Sequence, residues 1–416
     1  MFMLQRNKSI TFLSLLLMAT VVQAAGQEYA LPELERLALE SSRSVMAVRE
    51  QAVAARYAVR SAGAFPNPEI EYLSGTMRSR AGGGSSGDAR SATLTQPLDM
   101  PWVRSARIGT AEAGAQASEA TVQAFEAETL ANVRLRYYEV LRRKAELRNA
   151  REDVNLMESV RSRIALRVET GEAARFELVK ADAELLNAQK AVQAAGFRAE
   201  QARSYLRQSV GADLPPEFEL GGTLRDVPEV APLDSVRQAL PASSPTLARA
   251  RAEVERAERQ LDLERRQRWP SLALKGGYDE DPDMRTSRLG LVVTLPLWDR
   301  RSGPLGEASA NLARSRHELA AQEFSLGQQL AVAYQQYDIA LAQITALESG
   351  IVRQAESALK IAEAAYRFGE RGFLEVLDAQ RVFRAARAEL IAARFELAAA
   401  WVDIERLRAS PRGNRE

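Results

Sequence analysis

The sequence predicts a mainly α-helical protein with a small β part, assembled from two copies of a long-helix and hairpin unit. Three observations carry this. The chain repeats itself at an offset of about 200 residues. Thr95-Gln96-Pro97-Leu98 returns as Thr294-Leu295-Pro296-Leu297, and Ser44-Val45-Met46-Ala47 returns more weakly as Ser244-Pro245-Thr246-Leu247. Gly171 and Phe176-Glu177-Leu178-Val179-Lys180-Ala181 return as Gly369 and Leu374-Glu375-Val376-Leu377-Asp378-Ala379. Two stretches, Trp102 to Leu214 and Leu305 to Ser410, hold no proline and are rich in Ala, Glu and Arg. Between these stretches and their neighbours lie short runs that alternate polar and apolar residues, the period of a strand rather than a helix.

Taken in order, the chain opens with Arg6 and Lys8, an apolar run from Ile10 to Val22 and the small-residue pattern Val22-Gln23-Ala24. That order is an export signal spanning residues 1–24. Its apolar run is short for a membrane span, which needs about 20 residues. A first repeat over residues 25–210 follows. It holds a helix from Glu40 to Ala62, strand-like runs at Asn67-Pro68-Glu69-Ile70-Glu71-Tyr72 and Ser91-Ala92-Thr93-Leu94-Thr95, and a polar loop from Ala81 to Asp88. A long helix from Arg104 to Val168 comes next, then a turn at Gly171 and a last helix. Residues 211–241 form a linker.

The second repeat, 242–408, has a helix from Thr246 to Arg268 and strands at Leu272-Ala273-Leu274-Lys275 and Arg288–Leu295 around an acidic turn, Asp279–Asp283. Its long helix runs from Pro304 to Phe368, with a turn at Gly369, a last helix and a tail at 409–416. Leu130, Val133, Tyr137, Val140, Leu147 and Val154, and then Tyr334, Tyr337, Leu341, Ile344 and Ile351, recur at near-heptad spacing, which predicts coiled-coil packing. At 1.5 Å per residue each long helix is roughly 100 Å long, too long for a compact domain. The two shorter helices of each half together nearly match it, so the simplest packing lays them in line beside it.

No stretch beyond the export signal is long and apolar enough for a transmembrane helix. A membrane-inserted form must therefore be a β-barrel, because only helices and closed barrels satisfy their backbone in lipid. The alternating runs fit such a barrel, and Trp102, Trp269 and Trp298 sit where strands meet helices, as interfacial aromatics do. Four strands cannot close a conducting barrel, but three chains would supply twelve.

Several functions are excluded or left without support. A net charge of +1 offers no nucleic-acid surface. There is no cysteine, hence no disulfide framework, and a single histidine, His317, beside Arg316 and Glu318 on a helix face. These residues form no strong zinc or copper cluster. Gly82-Gly83-Gly84 lacks the lysine of a phosphate loop, and no nucleophile–base arrangement appears. The chain reads as a non-enzyme without cofactor.

These features together resemble the TolC family of outer-membrane efflux proteins, from about Leu34 to Leu407. Phe65-Pro66-Asn67-Pro68-Glu69, Gln96-Pro97-Leu98 and Pro296-Leu297-Trp298-Asp299-Arg300-Arg301-Ser302-Gly303-Pro304 most resemble its CzcC-type heavy-metal efflux branch. Asp99-Met100-Pro101-Trp102 departs from the glycine-rich basic turn common there. The resemblance implies a homotrimer with a twelve-stranded barrel in outer-membrane lipid and a long helical barrel in the periplasm. Its implied partners are a periplasmic membrane-fusion adaptor and an inner-membrane resistance-nodulation-division pump. Carried over residue by residue, it implies a periplasmic constriction at Glu375 and Asp378, a gate latch of Glu177, Tyr366 and Arg371, and adaptor-docking turns at Gly171 and Gly369. Drug efflux or type I protein secretion through the same architecture, and a periplasmic coiled-coil adaptor or scaffold, are the competing expectations.

Overall fold

The computed structural model describes residues 28–80 and 85–408. The export signal, the Gly82-Gly83-Gly84 loop tip and the 409–416 tail lie outside the described residues. The first half begins with the short strand β1 (Glu28–Tyr29), α1 (Leu31–Ser41) and α2 (Arg43–Gly63). The hairpin of β2 (Glu69–Met77) and β3 (Gly87–Leu98) leads into α3 (Pro101–Glu169), and a glycine turn leads into α4 (Arg175–Val210). A connection carrying β4 (Glu219–Leu220) brings the chain to the second half. This half runs through α5 (Leu233–Ser243), α6 (Pro245–Arg266), β5 (Ser271–Glu280), β6 (Arg285–Thr294), α7 (Ser302–Ala346), α8 (Val352–Arg367) and α9 (Phe373–Arg408).

The long helices follow from the absence of breakers. Proline stands at the first position of α3 and of α6, where its missing N–H has no intrahelical role. α3 is 69 residues long and α4 and α9 are 36 each. The second long helix differs from the first: α7 and α8 are joined by one π turn, Leu347–Ile351, instead of an unbroken α-helix. Four short elements, α1, α5, β1 and β4, escaped the sequence. α1 and α5, of 11 residues each, hold matching places in the two halves, and α5 lies largely in the expected linker. β1 and β4 form a parallel two-stranded pair, Glu28 opposite Glu219 and Tyr29 opposite Leu220.

The chain divides into two compact units, each drawing segments from both halves. Of the described residues, one takes 28–46, 125–240 and 326–408. Its largest core gathers Leu34, Val133, Tyr137, Tyr138, Leu206, Val210, Leu214, Leu220, Trp401 and Val402. The Tyr138 and Trp401 rings meet edge to face at 6.0 Å. Arg134, buried beside them, donates to Glu35 at 2.5 Å. Burial pushes the Tyr138 phenol up to about 12. Of the heptad positions, Val133, Tyr137, Val140 and Tyr334 are buried, whereas Leu341 and Ile351 stay exposed in the single chain.

The other unit, Ala47–Ala124 and Pro241–Ser325, holds the β-sheet. Its strand order is β2-β3-β5-β6, antiparallel throughout. Directly opposed residues share a face of an antiparallel sheet. The registers Ile70↔Leu94↔Gly276↔Leu289 and Tyr72↔Ala92↔Tyr278, with Leu274↔Leu291 and Leu272↔Val293, therefore set most of the large apolar residues of the four strands on one face, Leu73 and Val292 being among those on the other. Glu69, Glu71, Thr93, Thr95, Lys275, Asp279 and Arg288 occupy the other. The apolar face is exposed, with Ile70 and Leu289 each 79% accessible. Among the described residues β2 and β6 each pair on one side only. Trp102, Trp269 and Trp298 are also exposed.

A candidate gate at the two glycine turns

The loops at Gly171 and Gly369 are the same object built twice. Each glycine sits at positive φ, 78° and 77°, a conformation a side chain disfavours. In the first turn Gly171 N–H donates to Val168 O at 3.2 Å and Glu172 N–H to Arg167 O at 2.7 Å. In the second Gly369 N–H donates to Tyr366 O at 3.1 Å and Glu370 N–H to Ala365 O at 2.9 Å. These are paired Schellman closures, which satisfy the last carbonyls of α3 and α8 and reverse the chain into α4 and α9. A hydrophobic cluster fixes the hairpins beyond the turns: Met157, Val160 and Ile164 of α3, Ala181 of α4, Leu359 and Tyr366 of α8, and Phe373, Val376 and Leu377 of α9.

Tyr366, only 6% exposed, sits in this cluster with its ring 6.1 Å from that of Phe373. Its hydroxyl donates to Glu177 Oε2 at 3.3 Å, joining the second-half hairpin to the first. Burial, and then the Glu177 charge, raise the phenol pKa, so the hydroxyl is a donor across the neutral range. Arg371, the third residue expected in the latch, pairs within its own turn and helix: its Nη1 donates to Glu375 Oε2 at 2.8 Å. The cation beside Tyr366 is Arg167. Its Nη1 donates to Tyr366 O at 2.9 Å and its guanidinium carbon lies 4.8 Å from the Tyr366 ring centroid. A basic residue in the last turn of a helix is too common for sequence alone to single out.

Glu375 and Asp378 lie in the first turns of α9, three residues apart and so on neighbouring positions of one exposed face. Phe373, Val376 and Leu377 take the opposite, buried face. The repeat partners of the two acids are Glu177 and Lys180, so only the second half presents two carboxylates here. Next to them Gln380 is 4% exposed, and its Nε2 has no hydrogen-bond partner among the described residues.

Farther along α9, three arginines at three-residue spacing reach the first-half helices. Arg381 pairs with Glu184 at 3.0 Å and Arg384 with Asp153 at 3.9 Å. Arg387 donates to Asn149 at 2.5 Å and pairs with Glu152. Burial raises the Asp153 pKa, against the two nearby guanidinium groups that lower it. His317 is exposed on α7, and among the described residues no group of three or more acidic or histidine side chains could hold a metal ion.

The sequence profile of the family described as outer membrane efflux protein matches residues 34–212 and 236–409. The cobalt-zinc-cadmium resistance protein CzcC of Cupriavidus metallidurans is 26% identical over 353 residues, 84% of this chain and 83% of that one. The nickel-cobalt-cadmium resistance protein NccC of Alcaligenes xylosoxydans xylosoxydans is 25% identical over 310 residues, 74% of this chain and 70% of that one. A crystal structure of CusC, described in terms of folding and transmembrane channel formation, superposes with a TM-score of 0.77 at 18% identity, covering 94% of this chain and 96% of that one.

Proposed function

This chain belongs to the outer membrane efflux protein family, and we propose that it is the passive exit duct of a three-part pump that expels heavy-metal cations. The observation that carries the duct is the sheet: four strands, one continuous exposed apolar face, and two edges each paired on one side only. Exposed edges invite further strands, and an apolar face needs lipid or protein against it. A homotrimer joining β6 of one copy to β2 of the next closes twelve strands and meets both demands, with the apolar face toward lipid and the polar face toward water. The periplasmic helices then meet an adaptor at the Gly171 and Gly369 turns, and through it a resistance-nodulation-division pump.

Metal cations are favoured as cargo for two reasons. The curated relatives CzcC and NccC are named for resistance to cobalt, zinc, cadmium and nickel. Glu375 and Asp378 also leave their carboxylates on an exposed face, where three copies would set two acidic rings that favour cations over anions. Selection among metals belongs to the pump, because a duct need only admit the ion. Tyr366 and Glu177 serve as the gate's latch, with Arg371 held beside it on Glu375, and a docked adaptor and pump open the gate by binding the open form more tightly.

The test is deletion of the gene followed by growth on cobalt, zinc, cadmium, nickel and copper salts and on a drug panel. Metal sensitivity, restored by the wild-type chain, is expected; sensitivity to drugs alone removes the metal assignment. In planar bilayers the purified trimer is expected to conduct poorly and to prefer cations. The double variant Glu375→Ala, Asp378→Ala should lose much of that preference and its block by divalent ions. Unchanged selectivity would remove the ring assignment.

A further inference from the structure

We propose that Arg167 is the positioning residue that holds the second-half hairpin closed against the first. The proposal rests on the gate reading above and adds to it a residue that belongs neither to the predicted latch nor to the predicted constriction. Arg167 works from both ends of its own structure. Its backbone carbonyl closes the first glycine turn by accepting from Glu172 N–H at 2.7 Å and Ala173 N–H at 3.1 Å. Its side chain reaches the second turn and donates through Nη1 to Tyr366 O at 2.9 Å. That carbonyl is the one that accepts from Gly369 N–H. One side chain therefore ties the closing bond of one Schellman turn to the residue that closes the other.

Two further contacts fix the guanidinium. It covers the face of the buried Tyr366 ring at 4.8 Å, and its Nε lies 3.7 Å from Glu172 Oε2. A planar cation can stack on an aromatic ring and donate in its own plane at once; an ammonium cannot do both in the same geometry. The side chain is 25% exposed, so its charge is partly withdrawn from water and the contacts are not those of a loose surface pair.

The tie is also one-way. The repeat counterpart of Arg167 is Ala365, and that of Tyr366 is Val168. The duplication gave both halves the same glycine turn, and among the described residues this arginine and this tyrosine join one turn to the other with no counterpart pair in the repeat. An arginine that merely capped α3 would bond its own helix's last carbonyls; this one bonds the last turn of α8. Moving the α8–α9 hairpin away from α3 breaks the carbonyl bond and the ring contact together.

The test compares Arg167→Gln, Arg167→Lys, Tyr366→Phe and Glu177→Gln as full-length trimers, read by single-channel conductance in planar bilayers and by the melting temperature of the trimer. Losing a charge-assisted bond and a ring contact shifts opening by roughly tenfold or more per chain. R167Q should therefore conduct several-fold more than wild type while melting within a few degrees of it. R167K should fall between, because lysine keeps the charge and loses the stacked fork. Wild-type conductance in R167Q overturns the proposal. If Y366F or E177Q conducts more in that case, the gate reading stands without Arg167; if neither does, both fall. Should R167Q form no trimer, R167K decides, and wild-type conductance there is again the overturning result.

Discussion

Replacing Tyr366 by phenylalanine removes one oxygen from the candidate gate and little else. The ring keeps its contact with Phe373 at 6.1 Å and its place under Arg167 at 4.8 Å. The backbone carbonyl that Arg167 uses is untouched. What disappears is the 3.3 Å bond from the hydroxyl to Glu177. That distance is beyond the usual range of about 2.5–3.0 Å for a hydroxyl donor, so the bond is weak, and Glu177 is only half-buried and regains water when the bond is lost. A loss of about 1 kcal/mol per chain is therefore appropriate, toward the lower part of the range for bonds to charged groups. If the three chains of a trimer open together the losses add to about 3 kcal/mol, a shift of roughly a hundredfold toward the open form. Single-channel recording reads this as longer or more frequent high-conductance periods. An unchanged record, with the melting temperature also unchanged, would refute the reasoning.

The same bond has a definite pH signature. Burial and the Glu177 charge raise the Tyr366 pKa above its ordinary 10.0 in the folded state. A raised pKa means a contribution that is fully present below the unfolded value and is lost as pH rises through the folded one. The bond should hold the gate equally well throughout the neutral range and weaken only in strongly alkaline solution. Y366F should be insensitive in that alkaline window.

Two other outcomes follow from packing. Gln380→Leu removes a buried amide nitrogen that has no partner among the described residues, so the variant should melt higher, by an amount set by about 1–3 kcal/mol of recovered desolvation per chain; an unchanged or lower melting temperature in the assembled trimer would mean that the amide is satisfied there. Leu289→Arg places a charge on the exposed apolar face of the sheet and should block assembly of heat-resistant trimers in the membrane, at a cost of about 2–4 kcal/mol per chain near mid-bilayer. Thr93→Arg, on the polar face, should assemble normally, and the reverse pattern would show the sheet to be inside out.

Much of the architecture was legible because it depends on local rules. Absence of proline set the long helices to within a few residues, Arg104 to Val168 against Pro101–Glu169, and positive-φ glycines marked both turns. Alternation located both hairpins, since a half-exposed strand must repeat every two residues. Glu375 and Asp378 were singled out by the family resemblance alone, and the fold sets them on one exposed face of α9.

What the sequence could not decide depends on residues distant in the chain. β1 and β4 are too short to show a period, and their pairing joins Glu28 to Glu219 across most of the first half. The π turn at Leu347–Ile351 changes the helical register without any proline to announce it. Arg371, placed by resemblance beside Glu177, turns to Glu375, four residues along the chain and one helical turn away, while Arg167, unremarkable in the sequence, lies 199 positions before the residue whose carbonyl it holds. A side chain's choice between local and distant partners is set by where helices come to lie against one another, and that is a property of packing, not of spacing. The sequence by itself thus determined the long helices, the two hairpins and where the chain reverses. The tertiary structure decided which faces meet, which charge is paired with which, and which arginines tie the two halves of the duplication together.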